Sequence, residues 1–110
     1  MEYLESINRT ALIISYNKPF LDWLKYVYPD TPNIKEEYDS KTVYLLPELE
    51  DWQEYLMNHY LPIFDQELES WCEDSSQWPQ NRSWEVFKQW FKYEWQSMVF
   101  DMPDEPINKD

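Results

Sequence analysis

Asp65, Glu69 and Glu73 recur every four residues, and Asp51 and Glu54 precede them in the same segment. Residues four apart share a helix face, so this spacing describes a row of carboxylates. Such oxygens can take a hard cation such as Ca²⁺ or Mg²⁺, and a carboxyl pair can divide acid and base roles. Neither chemistry has its usual signature here. There is no D-x-D-x-D-G loop, and a working carboxyl pair is defined in three dimensions rather than by spacing. His59 is the single histidine and Cys72 the single cysteine. A Ser-His-Asp or Cys-His arrangement would have to use His59, which falls beside an apolar stripe next to Tyr60, where a packing residue is expected. Structural zinc asks for four ligands, more than one Cys and one His supply. The expectation is therefore no catalytic residue, no metal and no cofactor, with a carboxylate-based metal-dependent enzyme or metal-binding protein as the alternative.

The absence of glycine from all 110 residues sharpens this. Phosphate cradles of the GxxxxGKS and GxGxxG types need glycine so that the backbone can approach the ligand. The G-x-S-x-G nucleophile elbow needs it for its turn. All three are excluded.

As a surface, the carboxylate row reads differently. Asp51, Glu54, Asp65 and Glu69 share one helix face with no base four residues on, and Asp65 and Glu69 repel each other by roughly 0.2–0.5 kcal/mol. Formal net charge is −13, and residues 48–74 hold nine acids and no Lys or Arg. Direct nucleic-acid binding needs Lys and Arg to displace counterions, and the nine here are scattered. A basic protein partner is the easier fit. The acidic face is thus read as a docking surface for such a partner, with a nucleic-acid mimic as a special case and a purely solubilising face as the plain alternative. Trp78-Pro79 lies in a loop, either as a lid on the core or as part of that interface. Glu67 and Glu94 fall on apolar stripes, and a buried carboxylate needs a partner. Arg82, one of two arginines, is expected to pair with Glu67, Glu94 or Asp101, because guanidinium suits carboxylate geometry.

The elements that would position these residues follow from periodicity. Ala11–Tyr16 is a β-branched run fit for a buried strand. Asn17 caps a helix carrying Phe20, Leu24, Val27 and Tyr28 on one stripe, which Pro29 and Pro32 end. Lys41–Leu46 reads as a second strand. Glu48–Glu73 reads as a long helix that Pro62 should kink or split. Ser83 caps a third helix with the stripe Trp84, Phe87, Phe91 and Trp95, and Ser97–Asp101 reads as a third strand. The expected fold is α+β, a small three-stranded sheet packed with three main helices in the order β-α-β-α-α-β. It forms a single domain over residues 1–110, with a frayed acidic tail at 102–110. If the first two strands are parallel, the helix between them crosses right-handedly. Seven Trp, nine Tyr and five Phe can build a core without disulfides. Tyr3, Tyr38, Trp23, Trp90 and Tyr93 are expected to stay partly exposed.

Asn8–Ile14, Lys18–Leu24 and the block from Trp78-Pro79 through Arg82, Phe87 and Trp90-Phe91 to Ser97–Asp101 resemble a family of small acidic bacterial proteins with no established activity. Some members carry the label VacJ, borrowed from a surface lipoprotein. The resemblance implies a domain and no mechanism. The first residues show neither a leader-like apolar run nor a cysteine, and the longest apolar stretch, Ala11–Ile14, is too short to span a membrane. A cytoplasmic monomer or homodimer, away from membranes, is the expectation.

Overall fold

Alternating side chains make Arg9–Tyr16 a strand with one apolar face: Thr10, Leu12 and Ile14 are buried while Ala11 and Ile13 turn outward. This strand, β1, is the centre of a sheet ordered β2-β1-β3, with β2 at Thr42–Pro47 and β3 at Phe91–Gln96. Both pairings are antiparallel, so among the described strands there is no parallel crossover. Leu12 stands opposite Tyr44 and Trp95, and Ile14 opposite Thr42 and Tyr93. The computed structural model describes residues 4–30, 41–103 and 105–109. Tyr3, Pro32 and Tyr38 lie outside the described residues.

Among the described residues the helices are α1 (Lys18–Val27), α2 (Trp52–Trp71) and α3 (Trp84–Trp90), with a 3₁₀ turn at Ser75–Gln77. The result is the expected α+β fold. Its core joins Leu12, Ile14, Leu46 and Phe91 of the sheet to Phe20 and Leu24 of α1, Leu56, Ile63, Phe64 and Leu68 of α2, and Phe87 of α3. Rings dominate it. Phe64 meets Phe87, Trp90 and Phe91 with centroids 6.0, 5.7 and 5.1 Å apart, within the range where aromatic pairs add to simple burial. Trp23, expected to be partly exposed, is buried: it packs on Phe20 and Trp90, and its indole N–H donates to the Gln77 carbonyl at 2.8 Å. Trp90 and Tyr93 are half-buried, as expected.

Three local expectations are corrected. The third strand is Phe91–Gln96 rather than Ser97–Asp101, because α3 ends at Trp90 and Phe91 takes extended backbone angles. Residues 97–101 contribute instead the isolated bridge of Phe100 to Ser6 and a Val99 carbonyl that accepts the Ile7 N–H at 2.8 Å. Pro62 does not split α2, which runs unbroken through twenty residues. Its ring is on the exposed side, where water can serve the Asn58 carbonyl that loses its partner. Asn17 does sit at the N-cap of α1, but its side chain donates to the Gln89 carbonyl at 3.2 Å instead of capping.

Ser83 caps α3 as expected, its hydroxyl oxygen accepting the Val86 N–H at 3.3 Å. With seven residues, α3 has little helical cooperativity of its own. Ser83→Ala is expected to lower stability by about 0.5–2 kcal/mol in urea titration; an unchanged midpoint would show that packing of Phe87 alone holds the helix.

Candidate functional site

The nine acids of residues 48–74 divide into three environments. Glu48, Glu50, Asp51, Glu54, Glu69, Glu73 and Asp74 are exposed, Asp65 is half-buried, and Glu67 is 2% exposed. The exposed set runs along α2 and its two ends, and Glu50, Asp51 and Glu54 border one open hollow at the helix start. Among the described residues, no group of three or more His, Cys, Asp or Glu side chains is placed to hold a metal ion.

Asp51 and Glu54 face solvent at the start of α2, where their charge favours the positive end of the helix dipole. Asp51 also accepts the Glu54 N–H at 3.1 Å and is the N-cap, a role the sequence reading assigned to no residue. Glu69 is exposed near the other end. Met57 and Leu61, one helical turn apart, lie exposed between these acids and give the face an apolar centre. His59 is exposed on the same helix, stacked on Tyr55 with centroids 4.0 Å apart, its Nδ1 2.8 Å from the Tyr55 carbonyl oxygen.

Asp65 is half-buried on this face, where Arg82 meets its charge. The guanidinium Nε lies 3.1 Å from Asp65 Oδ1, a contact that is Coulombic rather than hydrogen-bonded because its angle is poor. Arg82 Nη1 donates to the Pro79 carbonyl at 2.9 Å, its guanidinium lies 5.7 Å from the Trp78 ring centroid, and Tyr60 donates to its carbonyl at 2.8 Å. Trp78 is half-buried against the core, and its indole N–H donates to the Cys72 carbonyl at 2.8 Å. This corner fastens the loop between α2 and α3 to the body of the protein. Trp78 therefore sits as a lid.

The expected partners of Arg82 are thus corrected. Glu67 is two residues from Asp65 and so about 200° round the helix, facing the sheet while Asp65 faces Arg82. Glu94 is exposed on the outer face of β3, where it accepts from Gln96 Nε2 at 3.2 Å. Asp101 is half-buried beyond the end of β3.

Glu67 finds its partners among hydroxyls. Tyr16 donates to Oε1 at 2.8 Å, Thr42 donates to Oε1 at 3.1 Å, and Tyr44 donates to Oε2. Trp71 Nε1 in turn donates to the Tyr16 oxygen at 2.8 Å. One buried carboxylate so ties together β1, β2 and α2. Sequence reasoning marked Glu67 as anomalous but could not see these donors, which lie 25, 23 and 51 residues away.

Both phenols are held well above the ordinary tyrosine value. Burial is the main cause in each. For Tyr16 the Trp71 N–H opposes it and the charge of Glu67 adds to it; for Tyr44 the hydrogen bond to Glu67 and then its charge add. A group whose pKa is raised by folding stabilises fully below its unfolded value, here about pH 10. That contribution is lost as pH climbs from there through the raised values. In a phenolate absorbance titration, two of the nine tyrosines are expected to stay un-ionised until the chain unfolds, and Tyr44→Phe to remove one from that late phase. Titration of all nine in one step in the folded protein would contradict this.

Comparison with models of known protein families, with curated proteins and with solved structures finds no match.

Proposed function

We propose that this protein is a non-enzymatic binding module that docks a basic protein partner on the acidic face of α2. The observation that supports it most is the distribution of charge: the exposed carboxylates of residues 48–74 are strung along one helix and its ends, with no Lys or Arg among them in the sequence. A catalytic carboxylate pair would converge in a pocket; a docking surface spreads. Glu67, the buried acid of residues 48–74, accepts from three hydroxyls that belong to the fold. Glu54 and Glu69 carry the docking role, with Asp51 at the helix start. Asp65 and Trp78 shape the neighbouring loop corner rather than contact the partner.

The partner is a surface rich in Lys or Arg with apolar side chains for Met57 and Leu61. The protein works in the cytoplasm as a monomer or homodimer, without cofactor or metal. No helix of the described residues is long and apolar enough to cross a membrane. The test is capture of a basic protein at low salt, its loss at high salt, and its loss when the exposed carboxylates are neutralised.

A further inference from the structure

Three hollows adjoin around the first half of α2. One, of about 330 Å³, is lined by Thr10, Glu48, Leu49, Glu50, Trp95 and Ser97. The next, of about 300 Å³, shares Leu49 and Glu50 and continues past Glu54 to Tyr55 and His59. The third, of about 240 Å³, shares Tyr55 and His59 and runs along Tyr44, Leu45 and Leu46 of β2, with Pro62 and Ile63 opposite. The shared linings make the three hollows neighbours, together a grooved strip of surface from Trp95 to β2.

Four features of this groove point to an occupant. β2 is an edge strand, and among the described residues no strand pairs with its far side. An edge strand offers unpaired N–H and C=O groups. Three consecutive β2 residues border the groove, so its backbone as well as one side-chain face is exposed to whatever lies there. At the other end the Trp95 ring lines the groove, its indole N–H buried with no hydrogen-bond acceptor among the described residues. The rim carries Glu48, Glu50 and Glu54, and no Lys or Arg lines any of the three hollows.

We infer that this groove binds an extended, basic segment of the partner, which adds as a strand to the outer edge of β2. The inference rests on the docking reading above and deepens it by giving the mode of docking. Strand addition draws affinity from main-chain hydrogen bonds and specificity from alternate side-chain pockets. Beside β2, apolar residues at every second position would meet Tyr55, Pro62 and Ile63. Where the groove reaches Glu50 and Glu54, Lys or Arg follow. Charge selects this occupant over a second copy of the chain, which carries −13 itself and would bring like charges together.

The probe is the synthetic peptide acetyl-Lys-Lys-Val-Thr-Val-Thr-Val-Lys-Lys-amide, with two versions N-methylated at alternate amides in opposite phases and a fourth with Glu for Lys. Binding to the full chain is read by amide and indole NMR shifts and hydrogen exchange at about 0.1 M salt, where the Debye length is near 10 Å. The expected result is slowed exchange within residues 44–46, a shifted Trp95 indole resonance, a loss of about tenfold or more for one methylated phase alone, and no binding of the Glu version. Equal binding of both methylated versions, with shifts only around Glu54 and Glu69, would overturn strand addition and leave the acidic docking face standing. Absence of peptide binding while a basic partner is still captured would do the same. Failure of both would remove both readings. A dimer of the free protein in light scattering whose formation protects residues 44–46 would give the edge to a second copy and overturn the inference.

Discussion

Glu67→Ala is expected to cost about 3–5 kcal/mol of unfolding free energy, read as a lower urea midpoint with an unchanged slope. The residue is 2% exposed and accepts hydroxyl hydrogens from Tyr16, Thr42 and Tyr44. Truncation strips three donors of their acceptor, at about 1–3 kcal/mol for each that stays dry, and leaves a cavity besides. Total stability of a domain this size is about 5–15 kcal/mol, so the loss is a large share of it. Glu67→Gln keeps the volume but turns one acceptor into a donor facing a hydroxyl, and about 1–3 kcal/mol is expected. The informative control removes the whole network. Glu67→Leu combined with Tyr16→Phe, Thr42→Val and Tyr44→Phe should recover part of the loss, because it leaves no hydroxyl without its acceptor, while Tyr16→Phe still takes an acceptor from the Trp71 indole N–H. A cost below about 1 kcal/mol for Glu67→Ala would mean that water enters and replaces the carboxylate.

The second large effect concerns the surface. Converting Glu50, Glu54, Glu69 and Glu73 to glutamine together is expected to weaken binding of the basic partner by about 2–3 kcal/mol, or roughly 30- to 150-fold, at low salt. Each exposed charge contributes little alone, so the effect needs all four. All four are exposed, so the fold should survive. Stability should hold or rise, since like charges are removed from a strongly acidic region. Asp51 is left in place because it caps α2. Asp65 is left because its charge is met by Arg82. The change should fall mainly on the association rate, the usual signature of steering by rim charges.

What the sequence discloses depends on how far apart the interacting residues are. β1, β2, α1 and the bulk of α2 are written in local periodicity and were legible. The α3–β3 junction was not. Phe87, Phe91 and Trp95 are spaced by four, which fits one face of a helix and, being even, equally one face of a strand. The structure resolves the ambiguity at Trp90, where the helix stops and Phe91, Tyr93 and Trp95 take the inner face of β3. Glu67 could be flagged because a carboxylate on an apolar stripe conflicts with its surroundings. Its hydroxyl donors come from other strands, which no local pattern records. The same holds for Arg82: its type announced an ion pair, but only tertiary placement selects Asp65. The capping role of Asp51 was in principle readable, since Asp three residues before Glu at a helix start is a familiar arrangement. The helix-like run that starts at Glu48 obscures it. The groove along β2 required the strand order, which the sequence leaves open.

The most direct test of the docking account is parallel capture from native lysate, using the tagged wild-type chain and the variant with Glu50, Glu54, Glu69 and Glu73 changed to glutamine. Captures at about 0.1 M and about 0.5 M salt compare Debye lengths near 10 Å and roughly 4–5 Å. Bound proteins are identified by mass spectrometry. The account predicts a discrete basic protein held by the wild type at low salt, released at high salt, and not held by the variant. Capture that is equal for wild type and variant, or that persists at high salt, would contradict it.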